Sequence, residues 1–258
     1  MADLRNMNAR AGQARTYDAS IDAGLRAYMI RVYNLMAAGL AITGVAALAT
    51  MMLATTTDPS AAVAQLGNGK MLTSVGTALY GSPLRWVVML APLGMVFYLS
   101  ARIQRMSVSG AQTAFWIFAG LMGISLSSIF LVYTTASIVQ TFFITATAFG
   151  ALSLYGYTTK RDLSAMGSFL FMGLIGLIIA SIVNIFLASS ALQFAISAIG
   201  VLIFAGLTAY DTQQIKEMYY EGDGDTVAGH KAIMGALRLY LDFINLFMFL
   251  LQFLGNRE

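Results

Sequence analysis

Two long stretches of this sequence carry no charge at all: there is no charged residue between Arg105 and Lys160, and none between Asp162 and Asp211. Each is more than twice the roughly 20 apolar residues that cross a bilayer once as a helix. Each must therefore fold back on itself in an apolar medium. Soluble domains carry about 25% charged residues; this chain of 258 residues has 10%, with 58% hydrophobic residues and a mean hydropathy of +0.73. There is no cysteine and a single histidine, His230. That excludes disulfide and thiolate chemistry and any multi-histidine metal site. The formal charge of +3 comes from basic residues scattered beside the apolar runs, which fits a membrane surface and not nucleic acid.

Hydropathy predicts an all-α, polytopic membrane protein with seven transmembrane helices, over residues 32–54, 84–100, 111–133, 136–157, 164–187, 192–213 and 232–254. Pro92 is expected to kink the short second span, with Arg85 and Arg102 snorkelling toward headgroups. Tight turns are expected at Tyr133-Thr134-Thr135 and at Ser189-Ser190. The chain divides into a polar N-terminal segment, 1–30, and a seven-helix domain, 31–258. Arg5, Arg10, Arg15, Arg26, Arg31, Arg102, Arg105, Lys160, Arg161, Lys216 and Lys231 fall on one side of these spans, and only Lys70, Arg85 and Arg257 on the other. Basic residues are retained in the cytoplasm, so the N-terminus is expected inside and the C-terminus outside. The first 30 residues are too long and too charged for a secretory leader. Ile21, Leu25 and Met29, at four-residue spacing, predict an amphipathic helix lying on the inner surface. Phe118-x-Gly120-Leu121-x-Gly123 is echoed by Phe171-x-Gly173-Leu174-x-Gly176, which reads as small residues recurring wherever lipid-embedded helices approach closely, the alternative being the trace of a duplicated hairpin.

A carboxylate near the bilayer centre costs roughly 2.5–3.5 kcal/mol on insertion scales, so each one asks for a partner or a purpose. Asp211 lies toward the inner end of the sixth span and Asp242 near the middle of the seventh. Gly235, Arg238, Asp242 and Asn245 line up one face of the last helix, and Thr208, Asp211 and Gln214 share a face of the sixth. If the sixth helix continues past Ile215, the two acids sit at comparable depth. Two carboxylates in one low-dielectric cleft titrate together, so the pair is expected to hold a shared proton or a cation, with Thr208, Gln214 and Asn245 as polar lining. Arg238, one turn from Asp242, is a charge partner that would compete for this role. Asn184, far along the axis, is expected to make a helix–helix hydrogen bond, and His230 to be an exposed loop residue.

The segments Leu207-Thr208-Ala209-Tyr210-Asp211-Thr212-Gln213-x-Ile215-Lys216 and Leu239-Tyr240-Leu241-Asp242-Phe243-Ile244-Asn245-Leu246-Phe247 resemble the closing signature of the Bax inhibitor-1 family. Tyr155-Gly156-Tyr157-Thr158-Thr159-Lys160-Arg161-Asp162-Leu163 and Val183-Asn184-Ile185-Phe186-Leu187 resemble its bacterial YccA-type branch. The resemblance implies six helices around a central seventh, a location in the bacterial inner membrane, and a pH-sensitive calcium leak gated by two aspartates, at the positions of Asp211 and Asp242. It also implies a basic latch at the inner end of the second helix, where Arg102 stands. Arg238 departs from the uncharged residue expected one turn below the acid.

Calcium takes six to eight oxygen ligands and two carboxylates supply at most four, so the expected cation site is weak and transient, with no resident cofactor. Weak binding suits permeation. Gly222-Asp223-Gly224-Asp225 matches the Gly-x-Gly-Asp pattern of intramembrane aspartyl proteases, but it falls in a polar loop and no Pro-Ala-Leu companion is present, so no enzymatic activity is expected. The alternative is a non-conducting regulator of membrane-protein quality control that binds a membrane protease, with residues 1–30 as its handle. The expected partners are otherwise the lipid bilayer and calcium or other cations.

Overall fold

A computed structural model describes the backbone of residues 2–256 and the side chains of residues 22–256. The side chains of Arg5, Arg10, Arg15, Ile21 and Arg257 lie outside the described residues. In hydrocarbon every backbone N–H and C=O must find its partner within the segment, and the seven apolar runs do so as helices: α1 (Ala2–Ala54), α2 (Leu84–Arg102), α3 (Val108–Leu126), α4 (Thr135–Thr158), α5 (Ser164–Leu187), α6 (Ser190–Glu217) and α7 (Asp225–Leu254). Among the described residues seven helices are long and apolar enough to cross a membrane; the first crosses from Asp22 to Ala54 and the third includes a short helix, Ile129–Val132, that continues α3. The chain is a polytopic, all-α membrane protein.

The turns sit where the sequence supplies a hydroxyl. Ser107, Thr134 and Ser189 are the N-caps of α3, α4 and α6, each accepting the N–H three residues on, from Gly110, Ser137 and Leu192. Between α5 and α6 the chain reverses through Ala188, whose φ of 47° is left-handed. Pro92 lies inside α2 as expected.

α7 is central. Two thirds of its most apolar window, 67%, is buried, against 11–39% for the other six spans. It packs on α1, α3, α4 and α6, while α2 leans on α3 and α5 on α6 at the periphery. Tyr240, fully buried in α7, is edge-on to Phe115 and Phe118 of α3, and its hydroxyl meets that of Thr43 on α1 at 2.7 Å. The glycine echo is not repeated in packing. A Cβ on Gly123 would overlap the carbonyl of Thr43, one on Gly173 would meet Ile203 at 3.2 Å, and Gly120 and Gly176 face open space.

Several elements exceed or depart from the sequence reading. α6 and α7 extend four and seven residues beyond the apolar runs at one end, because tertiary partners take up their polar side chains. The Gln213 amide accepts from Leu163 N–H and donates to Arg161 O, Lys216 Nζ donates to Tyr157 O, and Lys231 Nζ binds Met218 O and, at 2.5 Å, Asp223. Residues 25–29 of α1 do not form a separate surface helix. The helix runs unbroken across residues 30 and 31, with Tyr28 and Met29 in the core and Leu25 packed against it. Asp225 and Gly229 belong to α7, leaving the Asp223 loop pinned by Lys231. His230 is also helical and partly buried, with an Nε2 that has no hydrogen-bond partner, in place of the exposed loop residue expected. Between α1 and α2, β1 (Thr55–Thr56), β2 (Ala64–Gln65) and β3 (Met71–Leu72) form an antiparallel sheet in the order β1-β3-β2.

The two ends of the bundle differ in charge. Arg26, Arg161, Lys216 and Lys231 gather at one; at the other, Lys70 Nζ donates to Phe130 O and Asn256 O accepts from Thr134 N–H.

Candidate functional site

Asp211 and Asp242 come from the α6–α7 pair, the most extensive helix contact of the bundle together with α1–α3. Close approach is possible because Gly235 of α7 faces Ile215 of α6, where a Cβ would already stand at 3.0 Å. Continuation of α6 to Glu217 places Asp211 six residues inside the helix end. Both carboxylates line the same groove. Asp242 is 4% exposed, and its Oδ2 has no hydrogen-bond partner.

Arg238 stands with Asp211 and not first with Asp242: its Nη1 is 4.0 Å from Asp211 Oδ1. That separation is too long for a hydrogen bond. The guanidinium is therefore a Coulombic neighbour, with its side chain 44% exposed against 18% for Asp211. The acids and Arg238 line a groove of about 990 Å³ on the α5 side of the bundle, walled by Leu174 and Leu177 of α5 and Leu207 and Tyr210 of α6. Its rim residues Phe171, Ile178 and Ile182 are exposed toward lipid.

Of the expected polar lining, the structure brings Asn245 to the acids. Its Nδ2 donates to Leu241 O at 2.8 Å, which leaves the amide oxygen for the groove. Thr208 and Gln214 are not brought there. Thr208 is fully buried with its hydroxyl bonded back to Phe204 O, and Gln214 donates to Glu217. Arg102 is also remote: it is exposed in the last turn of peripheral α2, with no ion pair or hydrogen bond among the described residues. Within those residues no three acid or imidazole side chains converge. A cation in the groove would meet two carboxylates, one amide oxygen and water.

Two polar chains lie behind the site, of which only Asn184 was expected from the sequence to bond between helices. Tyr33 of α1, Ser153 of α4 and Thr212 of α6 are linked hydroxyl to hydroxyl at 2.6 and 2.9 Å, one residue from Asp211. At the opposite end Asn184 Nδ2 donates to Gln193 Oε1, as a helix–helix bond, and Gln193 Nε2 donates to Gln252 Oε1, which joins α5, α6 and α7. Hydroxyl and amide side chains are too common in spans for the Tyr33–Ser153–Thr212 chain or the Gln193–Gln252 partners of Asn184 to stand out.

Residues 25–258 match the profile of the family described as "Inhibitor of apoptosis-promoting Bax1". An uncharacterized protein of Rickettsia prowazekii is 50% identical over 239 residues, 93% of each chain. Another, of Caulobacter vibrioides, is 48% identical over the full length of both chains. The inner membrane protein YbhL of Escherichia coli is 48% identical over 92% of this chain and 94% of its own. With the signature segments, the central last helix and the paired aspartates in place, the chain belongs to the Bax inhibitor-1 family.

Proposed function

We propose that this protein is a proton-sensitive calcium or cation leak of the bacterial inner membrane, with its basic end in the cytoplasm and Asp211 and Asp242 as its proton and ion site. The observation that carries this reading is Asp242, a buried carboxylate with one oxygen unpartnered, lining the same open groove as a second acid, Asp211, on the neighbouring helix. A buried charge without a complete set of partners is costly, and such groups in a membrane protein mark ion and proton paths. A proton shared by the pair or a cation between them would relieve that cost.

Arg238 tunes the site. Its charge near Asp211 holds off a second cation and leaves Asp242 as the stronger ligand. Two carboxylates and the Asn245 oxygen fall short of a full calcium shell, so the ion stays partly hydrated and departs readily. The name of the Escherichia coli relative supports the inner-membrane location. The excess of Lys and Arg at one end supports the orientation.

Calcium entry into liposomes carrying the purified protein tests the reading. Entry well above that of empty liposomes, changed in Asp242→Asn, is expected. No entry from folded protein would overturn it and favour the non-conducting regulator that binds a membrane protease.

A further inference from the structure

A second groove, of about 670 Å³, lies between α1 and α4 and shares no residue with the aspartate groove. Its sides are Met29 and Met36 of α1 and Phe149 of α4, with Ile30 and Leu154 exposed at the rim. Gly150 leaves part of the α4 wall open, since a Cβ there would touch nothing within 4 Å. Arg26 stands at the mouth, four residues after Asp22, where the first span begins. Lys216 is beside the same mouth. Its Nζ lies 5.4 Å from the ring of Tyr157, a wall residue, and gives one of its three protons to the Tyr157 carbonyl at 2.8 Å. Neither Arg26 nor Lys216 is ion-paired among the described residues. Lys160 and Arg161 follow Tyr157 in the exposed α4–α5 loop, and the nearby acids include Asp22, exposed, Asp162, which accepts from Ser164, and Glu217, exposed next to Lys216 and accepting from Gln214.

We propose that this groove binds one anionic phospholipid of the adjoining leaflet, its phosphate held by Arg26 and Lys216 and one acyl chain laid along Met29, Met36, Phe149 and Gly150. Charge and length both select this occupant. The mouth offers two cations with donors to spare, and basic side chains at a bilayer surface favour anionic lipid. The ten residues from Arg26 to Met36 rise about 15 Å along α1, half of a hydrocarbon core about 30 Å thick. The groove is thus one leaflet deep, starting at the membrane edge. At its back the Tyr33–Ser153–Thr212 hydroxyl chain leads to α6, one residue from Asp211, so the lipid would brace the helix that carries the acid.

Native mass spectrometry of the full chain in mild detergent, with phosphatidylglycerol or phosphatidylcholine added, tests the site. The parent is expected to retain one phosphatidylglycerol in preference to phosphatidylcholine. Arg26→Gln, at an exposed position, should lose about fivefold of that preference, the worth of one surface cation. Gly150→Phe, filling the groove, should lose retention of both lipids. Gly94→Phe, equally open but on α2 outside the groove, should bind as the parent does. Equal retention of the two lipids by the parent, or undiminished preference in Arg26→Gln, would overturn the proposal. Because the readout is lipid mass and not ion flux, its failure is separate from any failure of the leak reading.

Discussion

Replacing Gly156 by alanine tests how the helix bearing Asp211 is held. Gly156 lies on α4 against the backbone of α6, and a Cβ there would overlap the Ala209 carbonyl oxygen and stand 2.9 Å from its carbon and 3.0 Å from its Cα. Carbon contacts rest at about 3.5–4.0 Å, so the helices must part by at least roughly 0.6 Å. Both sides of the contact are backbone, and no rotamer change can absorb the shift. Overpacking costs about 1–3 kcal/mol, and a rigid contact belongs at the upper end. The better helix propensity of alanine returns up to about 1 kcal/mol, for a net loss of about 2 kcal/mol. The parting also stretches the Ser153–Thr212 and Lys216–Tyr157 bonds, at 2.9 and 2.8 Å, on either side of Gly156 and just beyond Asp211 on α6. Gly150→Ala is the control, six residues earlier on the same helix with nothing near its Cβ; it should be neutral or stabilising. Reversible unfolding in mixed micelles measures both. Equal stability of the two variants would refute the close-approach argument.

Arg238→Ala should change stability by less than about 1 kcal/mol, since the pair with Asp211 is long and its arginine largely exposed; mixed-micelle unfolding checks this, and the calcium entry rate should still change. Gln193→Leu strands the Asn184 and Gln252 amides and should destabilise by about 1 kcal/mol, within the range for interhelical hydrogen bonds in membranes. Asp162 is held below the ordinary carboxylate range by hydrogen bonds from the Ser164 hydroxyl and N–H. Its depressed folded-state pKa means that the stabilisation is present above the unfolded value of about 3.9 and is lost as pH falls through the folded one. Asp162→Ala should therefore be less stable than the parent at neutral pH and converge with it in acid, as followed by helix ellipticity.

The spans were legible because lipid imposes two demands that a sequence displays directly, length and the absence of charge. The turns were legible for a related reason, since Thr134 and Ser189 are hydroxyl caps standing where the apolar runs break. The extensions of α6 and α7 were not legible. Gln213, Lys216 and Lys231 look like the end of a span until their carbonyl and carboxylate partners on other segments are known. Strands two residues long fall below any periodic signal, which hid the sheet in residues 55–72.

At the site, the price of an intramembrane carboxylate marked Asp211 and Asp242 in advance. Spacing along one helix could not tell where a long side chain reaches. Arg238 is one turn from Asp242 yet extends to Asp211 on the neighbouring helix. Thr208 shares a helical face with Asp211, but its hydroxyl turns back to the Phe204 carbonyl one turn earlier, as threonine in helices often does. The Arg102 latch followed from resemblance alone, and the structure leaves that arginine exposed at the edge of the bundle.

The most direct test of the paired aspartates is the pH profile of calcium flux into proteoliposomes, taken from about pH 5 to about pH 8, where a poised intramembrane group changes charge. Parent, Asp211→Asn, Asp242→Asn and the double variant should be compared at equal folded protein. A paired-aspartate site predicts a flux that changes with pH in the parent and is flat in each variant, with the double variant no different from either single one because the pair acts as a unit. A profile in the double variant that follows the parent's would contradict it and place the proton-sensing group elsewhere in the protein.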